Sequence, residues 1–183
     1  MSPADPEIAR RLLGAFVPPD ARAAEARDRL LAFLAAHGSA AFSRTLLAGH
    51  LTASSLVLDA AGERVLLVLH PALGRWLQPG GHCDGEADLA AVARREAVEE
   101  TGIGALALDP RPLDVDIHAI PARGAEPAHL HHDTRFLARA PAGAPARADA
   151  EARDARWFAV SELAEIDTDD SLRRLAALAL ARR

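Results

Sequence analysis

Gly81-His-Cys-Asp-Gly-Glu-Ala-Asp-Leu-Ala-Ala-Val-Ala-Arg-Arg-Glu-Ala-Val-Glu-Glu-Thr-Gly-Ile103 is the stretch on which the reading of this chain turns. Its second half has the spacing of a helix. At about 100° per residue, Glu96, Glu99 and Glu100 fall within an arc of roughly 100°, in line with Leu89, Val92 and Ala93 one and two turns earlier. The stripe is therefore apolar first and acidic afterwards. Alone this is unfavourable, because like charges at i,i+3 and i,i+4 repel by a few tenths of a kcal/mol per pair. The helix C-terminus disfavours each anion by roughly a further 0.3–1 kcal/mol. A bound cation reverses the sign. Hard divalent ions take oxygen ligands, and magnesium keeps several waters while bridging a few carboxylates to substrate phosphates. A solvated acidic helix end is the competing reading, and on these residues alone the two stand level.

The same residues resemble the Nudix box: Gly, five residues, Glu, seven residues, Arg-Glu, a bulky aliphatic, any residue, Glu-Glu, any residue, Gly, aliphatic. Counting from Gly81, the chain matches at Arg95, Glu96, Glu99, Glu100, Gly102 and Ile103. Two positions depart from the pattern. The loop glutamate stands one place early as Glu86, with Ala87 where it should fall, and the aliphatic after Arg-Glu is only Ala97. The match covers about an eighth of the chain. Its flanks agree: Leu66 to Leu69 reads as a strand, Trp76-Leu-Gln-Pro-Gly-Gly81 as a tight approach, and Arg156-Trp-Phe-Ala-Val-Ser-Glu-Leu163 as a late strand and helix.

The resemblance implies an α/β/α sandwich with a mixed sheet and a metal-dependent hydrolase. Its substrate would be a nucleoside diphosphate linked to another group, or a related organic diphosphate. It implies that Glu96, Glu99 and Glu100 hold Mg2+ or Mn2+, that Gly81 adds a carbonyl ligand, and that Arg95 orients the glutamates. In the family the loop glutamate serves mainly the loop's own hydrogen bonding, so Glu86 is expected to substitute in an altered loop. The general base varies in the family between a helix glutamate and a residue of a later loop. Glu126 and His131 are the candidates here.

Composition narrows the classes. The chain has 183 residues, 50% of them hydrophobic, enough for one well-buried core. Lysine, asparagine and tyrosine are absent, which excludes a lysine nucleophile or base. A net charge of −5 with scattered arginines argues against a nucleic-acid polymer as partner, since backbone binding needs a concentrated basic face. Cys83 is the only cysteine, so no intrachain disulfide and no Cys-x-x-Cys zinc site is expected. No basic start with an apolar run and no membrane-spanning stretch is evident, so a soluble, cytoplasmic protein is the default expectation.

Residues 5–16 and 20–37 read as two helices broken at Pro18-Pro19. They define an N-terminal helical extension over 1–45 that precedes a Nudix hydrolase domain over 46–183. The extension is open to two uses, forming a homodimer or covering the cleft. Thr52 to Asp59 and Arg64 to His70 read as a hairpin, Leu113 to Ile120 and Ala128 to Ala138 as further strands, and Trp157 to Val160 as the last. Residues 140–150 lack periodicity and read as a loop, and Ser171 to Ala181 as a terminal helix.

Alternation puts Asp114, Asp116 and His118 on one face of their strand, and His129, His131, Asp133 and Arg135 on one face of the next. If the strands pair antiparallel, these polar faces adjoin. They then make either a wall of the substrate cleft, with Arg135 on phosphate and His129 and His131 as donors or a second metal site, or an ordinary solvent-facing hairpin. His82 is a further substrate-contact candidate, and Trp76 one for stacking a base. His50 and His70 flank the first hairpin and read more readily as surface or turn histidines. Two rivals to hydrolysis are a diphosphate isomerase of the isopentenyl-diphosphate isomerase type, which needs a catalytic cysteine, and a non-catalytic nucleotide sensor.

Overall fold

The computed structural model describes residues 4–71, 73–124, 127–147 and 154–182. Four α-helices form: α1 (Pro6–Ala15), α2 (Ala21–His37), α3 (Leu89–Thr101) and α4 (Asp170–Ala181). Each begins on an aspartate, Asp5, Asp20, Asp88 or Asp169, whose carboxylate accepts backbone N–H groups of the first turn. Such a cap is worth about 1 kcal/mol. α3 ends where Gly102 turns left-handed (φ 68°) and returns its N–H to the Val98 carbonyl, a conformation costly for any residue with a Cβ.

The strands are β1 (His50–Leu58), β2 (Arg64–Leu69), β3 (Trp76–Leu77), β4 (Gly80–His82), β5 (Ala107–Leu108), β6 (Asp114–Ile120), β7 (His129–Arg139) and β8 (Ala155–Ala159). They make one mixed sheet. β1 and β7 run parallel at its centre, with His50 opposite His131 and Leu58 opposite Arg139. All other pairings are antiparallel: β2 and β4 share the far edge of β1, β3 and β8 flank β2, and β5 and β6 flank β7. The first hairpin closes where the Asp59 carboxylate accepts the Glu63 and Arg64 N–H groups (2.8 and 3.2 Å).

β1 is buried along its whole length because helices cover both faces of the sheet. On one side α1, α2 and α3 pack Ala9, Leu34, Leu89, Val92 and Ala93 against Leu51, Ala53 and Phe136. On the other, α4 packs Leu172, Leu175 and Ala179 against Leu56, Leu58, Leu67 and Leu137. The architecture is the expected α/β/α sandwich with N-terminal helices. Those helices share the central core: Leu13, Phe16 and Leu30 lie with Val115 of β6, and Phe33 stacks on His132 of β7 with ring centroids 4.0 Å apart. They lie over the α3 side of β6 and β7. The sequence reading missed the short strands β3, β4 and β5, which are too brief to show a period. Residues 141–147 of the irregular segment are anchored, with the Trp157 indole donating to the Ala144 carbonyl and the Arg147 N–H to Thr101. No helix among the described residues is long and apolar enough to cross a membrane.

Candidate active site

Two consecutive glycines bring the acidic end of α3 onto β4. The Gly80 N–H donates to Glu100 Oε2 at 2.9 Å. A Cβ on Gly81 would lie 2.3 Å from Glu96 Oε2 and 2.6 Å from its Cδ. Only a residue without a side chain lets that carboxylate sit so close. Arg95 fixes the arrangement from outside, donating to the His82 carbonyl (2.9 Å) and pairing with Glu96 Oε1 (2.8 Å). Glu96 keeps 12% of its side chain exposed, and Glu99, one turn on, is exposed.

The neighbouring loop accommodates the displaced glutamate. Glu86 Oε1 accepts the Asp88 N–H at 2.9 Å, while Ala87 is buried. Glu86 thus bonds within its own loop, and the metal-type acids of α3 are undisturbed. Ala97 also packs fully, filling the α3–sheet contact with Val57, Leu66 and Ile103.

A site of oxygen donors flanked by a backbone carbonyl suits a hard divalent ion. The three box acids are spread along α3. Among the described residues, the set of three metal-type donors lying within 4.8 Å of one another is His50, His82 and His131, not the acids. A hydrated magnesium ion, which reaches some ligands through its own waters, fits the wider spacing. Gly81→Ala tests the approach of Glu96. Because the obstructing atoms are the end of a flexible side chain, the fold should survive within about 1 kcal/mol. If Glu96 holds the metal, displacing it by about 1 Å should lower turnover about 100-fold, read as kcat at saturating metal.

The histidine-rich hairpin pairs antiparallel, with Asp114 opposite Arg135, Asp116 opposite Asp133 and His118 opposite His131. The polar faces adjoin as alternation requires. They are largely covered, although His118 keeps 41% of its side chain exposed. Arg135 is 3% exposed, and its guanidinium donates to Asp133 Oδ2 (3.0 Å), Asp116 Oδ2 (3.0 Å) and Ser171 Oγ. Asp133 also accepts from Thr52 (3.1 Å) and Ser54 (2.8 Å), and Asp116 from Arg22 (2.8 Å). Burial alone would raise the Asp116 carboxyl, but His118, Arg135 and Arg22 hold it well below the usual carboxylate range. Arg135 is thus an internal strut joining β6, β7 and α4, and not a phosphate contact. Trp76 likewise packs inward, edge-on to Phe158 at 4.8 Å with the Arg156 guanidinium 5.2 Å over its ring, instead of offering a free face to a base.

His82, His129 and His131 gather with a residue that sequence reasoning discounted. His50 is 1% exposed, and its ring centroid lies 4.9, 4.9 and 4.8 Å from those of His82, His129 and His131. Burial, then neighbouring imidazoles, pushes His50 down to about 4 and His131 to about 2. His131 is consequently a poor proton acceptor at neutral pH. The other candidate base, Glu126, lies outside the described residues. His70 sits in a turn, where its Nδ1 accepts the Leu73 N–H at 3.2 Å. Cys83 is 1% exposed, and burial pushes its thiol well up. A thiol so placed is unsuited to the proton transfer an isomerase needs.

Similarity to known proteins agrees with this geometry. Among solved structures, the chain is similar to an Ap4A hydrolase of C. elegans (20% identity, TM-score 0.59, covering 72% of this chain and 96% of that one). It is also similar to the E. coli dihydroneopterin triphosphate pyrophosphohydrolase (14% identity, TM-score 0.59, covering 73% and 96%). A NUDIX-family hydrolase from Clostridium perfringens gives 21% identity and TM-score 0.53, covering 73% and 97%. At these identities the likeness establishes the fold. No curated protein sequence matches significantly. The NUDIX domain model matches residues 49–178, from the strand that carries His50 to the last helix, and with the box acids docked on Gly80 and Gly81 the chain belongs to the NUDIX domain family.

Proposed function

We propose that this protein is a pyrophosphohydrolase that cleaves the diphosphate linkage of a nucleoside diphosphate bearing a second group, or of a related organic diphosphate. The observation that carries the reading is the seating of Glu96 and Glu100 on Gly81 and Gly80 within a NUDIX domain. Glu96, Glu99, Glu100 and the Gly81 carbonyl would hold Mg2+ or Mn2+, which when bound neutralises the diphosphate and acidifies a water. The chain's own part is positional. The Gly80 N–H keeps one oxygen of Glu100 in place, and Arg95 keeps Glu96 turned toward β4. With His131 a poor acceptor, Glu126 and the exposed Glu99 are the bases to test. The substrate is a small molecule, and residues 1–45 serve as an extension that braces β6 and β7.

The activities named for two similar structures, Ap4A hydrolysis and pyrophosphohydrolysis of dihydroneopterin triphosphate, support this class and widen the range to examine. A panel of nucleotide sugars, dinucleoside polyphosphates, oxidised nucleotides and coenzyme A esters should be assayed for release of phosphate or mononucleotide with Mg2+ and Mn2+. At least one class is expected to turn over with a kcat of roughly 1 s⁻¹ or more. Tight retention of a ligand without any cleavage would instead make the domain a sensor.

A further inference from the structure

Five of the eight histidines in the chain meet at one end of the sheet. The β1–β7 and β6–β7 registers put His50, His131 and His118 side by side, and β4 brings His82 in from the other edge of β1. The ring centroids of His82 and His131 are 5.2 Å apart, and those of His118 and His131 5.5 Å. One ring nitrogen each from His50, His82 and His131 lies within 4.8 Å of the other two. Among the described residues, both buried ring nitrogens of His50 and the buried Nε2 of His131 have no hydrogen-bond partner. Buried polar atoms in a native fold are nearly always satisfied, and the unpartnered ring nitrogens of His50 and His131 call for an occupant that accepts a lone pair from each.

We propose that His50, His82 and His131 form a three-imidazole site for a borderline divalent transition metal, with Zn2+ as the natural probe. Imidazole nitrogen selects Zn, Cu or Ni over Mg and Ca, and three imidazoles with a fourth position open is an established zinc arrangement. Bonds of about 2.0–2.1 Å would set the nitrogens about 3.4 Å apart, so the rings close in by on the order of 1 Å. His129, whose Nδ1 lies 2.9 Å from the Pro127 carbonyl, flanks His50 and His131, and His118 stands 3.4 Å from Asp116. The site is separate from the acids of α3. A Cβ on Gly81 would face Glu96, and by alternation the next residue, His82, projects to the opposite face of the sheet, shared by Thr52, its partner on β1. An open apolar hollow of about 440 Å³, lined by Leu47, Ile120, His129 and Leu130, adjoins the cluster at His129.

The test uses the full-length chain stripped of metal and titrated with Co2+, then with Zn2+ as competitor. One equivalent of Co2+ should bind with the intense visible bands of a four-coordinate nitrogen site, and Zn2+ should abolish them. His131→Gln and His82→Gln, at positions less buried than His50, should each weaken Zn2+ binding about 100-fold or more. The Glu96→Gln/Glu100→Gln double variant should bind Zn2+ within about threefold of wild type, which separates this outcome from failure of the hydrolase reading. Should the histidine variants misfold, hyperfine-shifted imidazole signals of His50, His82 and His131 in Co2+-loaded wild type decide the matter. A wild type that yields no such bands, or affinity that follows the glutamates and not the histidines, overturns the proposal.

Discussion

Glu100→Gln should lower metal-stimulated diphosphate cleavage about a thousand-fold, equivalent to several kcal/mol of transition-state stabilisation. The melting temperature should stay within about 2 °C of wild type, as for a surface change that breaks no packed contact. The reason lies in how Glu100 is held. Its Oε2 accepts the Gly80 N–H at 2.9 Å, and glutamine presents an equivalent carbonyl oxygen there, so the seat on β4 is kept while the charge is lost. Glu96→Gln should behave alike, since its oxygens meet Arg95 and the space above Gly81. Wild-type rates in these variants would remove the box acids from the chemistry.

Arg135→Met should destabilise the protein by about 3–5 kcal/mol, because removing one partner of a buried ion pair leaves the others uncompensated. For a chain of this size that is a fall of roughly 10–15 °C in Tm. Asp133 keeps Thr52 and Ser54, and Asp116 keeps Arg22, so the fold should weaken without collapsing. Arg135→Lys should recover only part of the loss, since one ammonium cannot reproduce the fork that spans two carboxylates and Ser171. KM for the diphosphate substrate should change less than twofold at temperatures where the variant is folded. A large rise in KM with an unchanged Tm would return Arg135 to the role of phosphate contact.

Local signals made much of this fold legible. The helix over the box acids shows itself by its apolar and acidic stripe, and the first hairpin by its two strand-like runs; the Asp88 cap and the turn that Asp59 closes emerge only in the structure. Alternation showed which residues of β6 and β7 share a face, and the structure sets their register, with Asp116 opposite Asp133. Alternation tells which residues share a face and is silent on what covers it. Arg135 looked like a cleft residue because Ser171 and Arg22, which help to enclose it, come from helices far away in the chain. His50 was discounted for the same reason. It begins a strand whose parallel partner lies some eighty residues on, and only that pairing sets it beside His131. Trp76 sits on a two-residue strand, too short for a period to reveal its packing on Phe158.

Cleavage at the acids of α3 should leave the oxygen of water on phosphorus, by breaking a P–O bond of the diphosphate and not a C–O bond. Hydrolysis of a reactive diphosphate in 18O-labelled water under single-turnover conditions tests it most directly. One 18O atom is expected in one of the released phosphate groups per cleavage, with labelled product forming about a thousand-fold more slowly in Glu100→Gln. Cleavage without label on phosphorus, or labelled product formed at the wild-type rate in that variant, would contradict it.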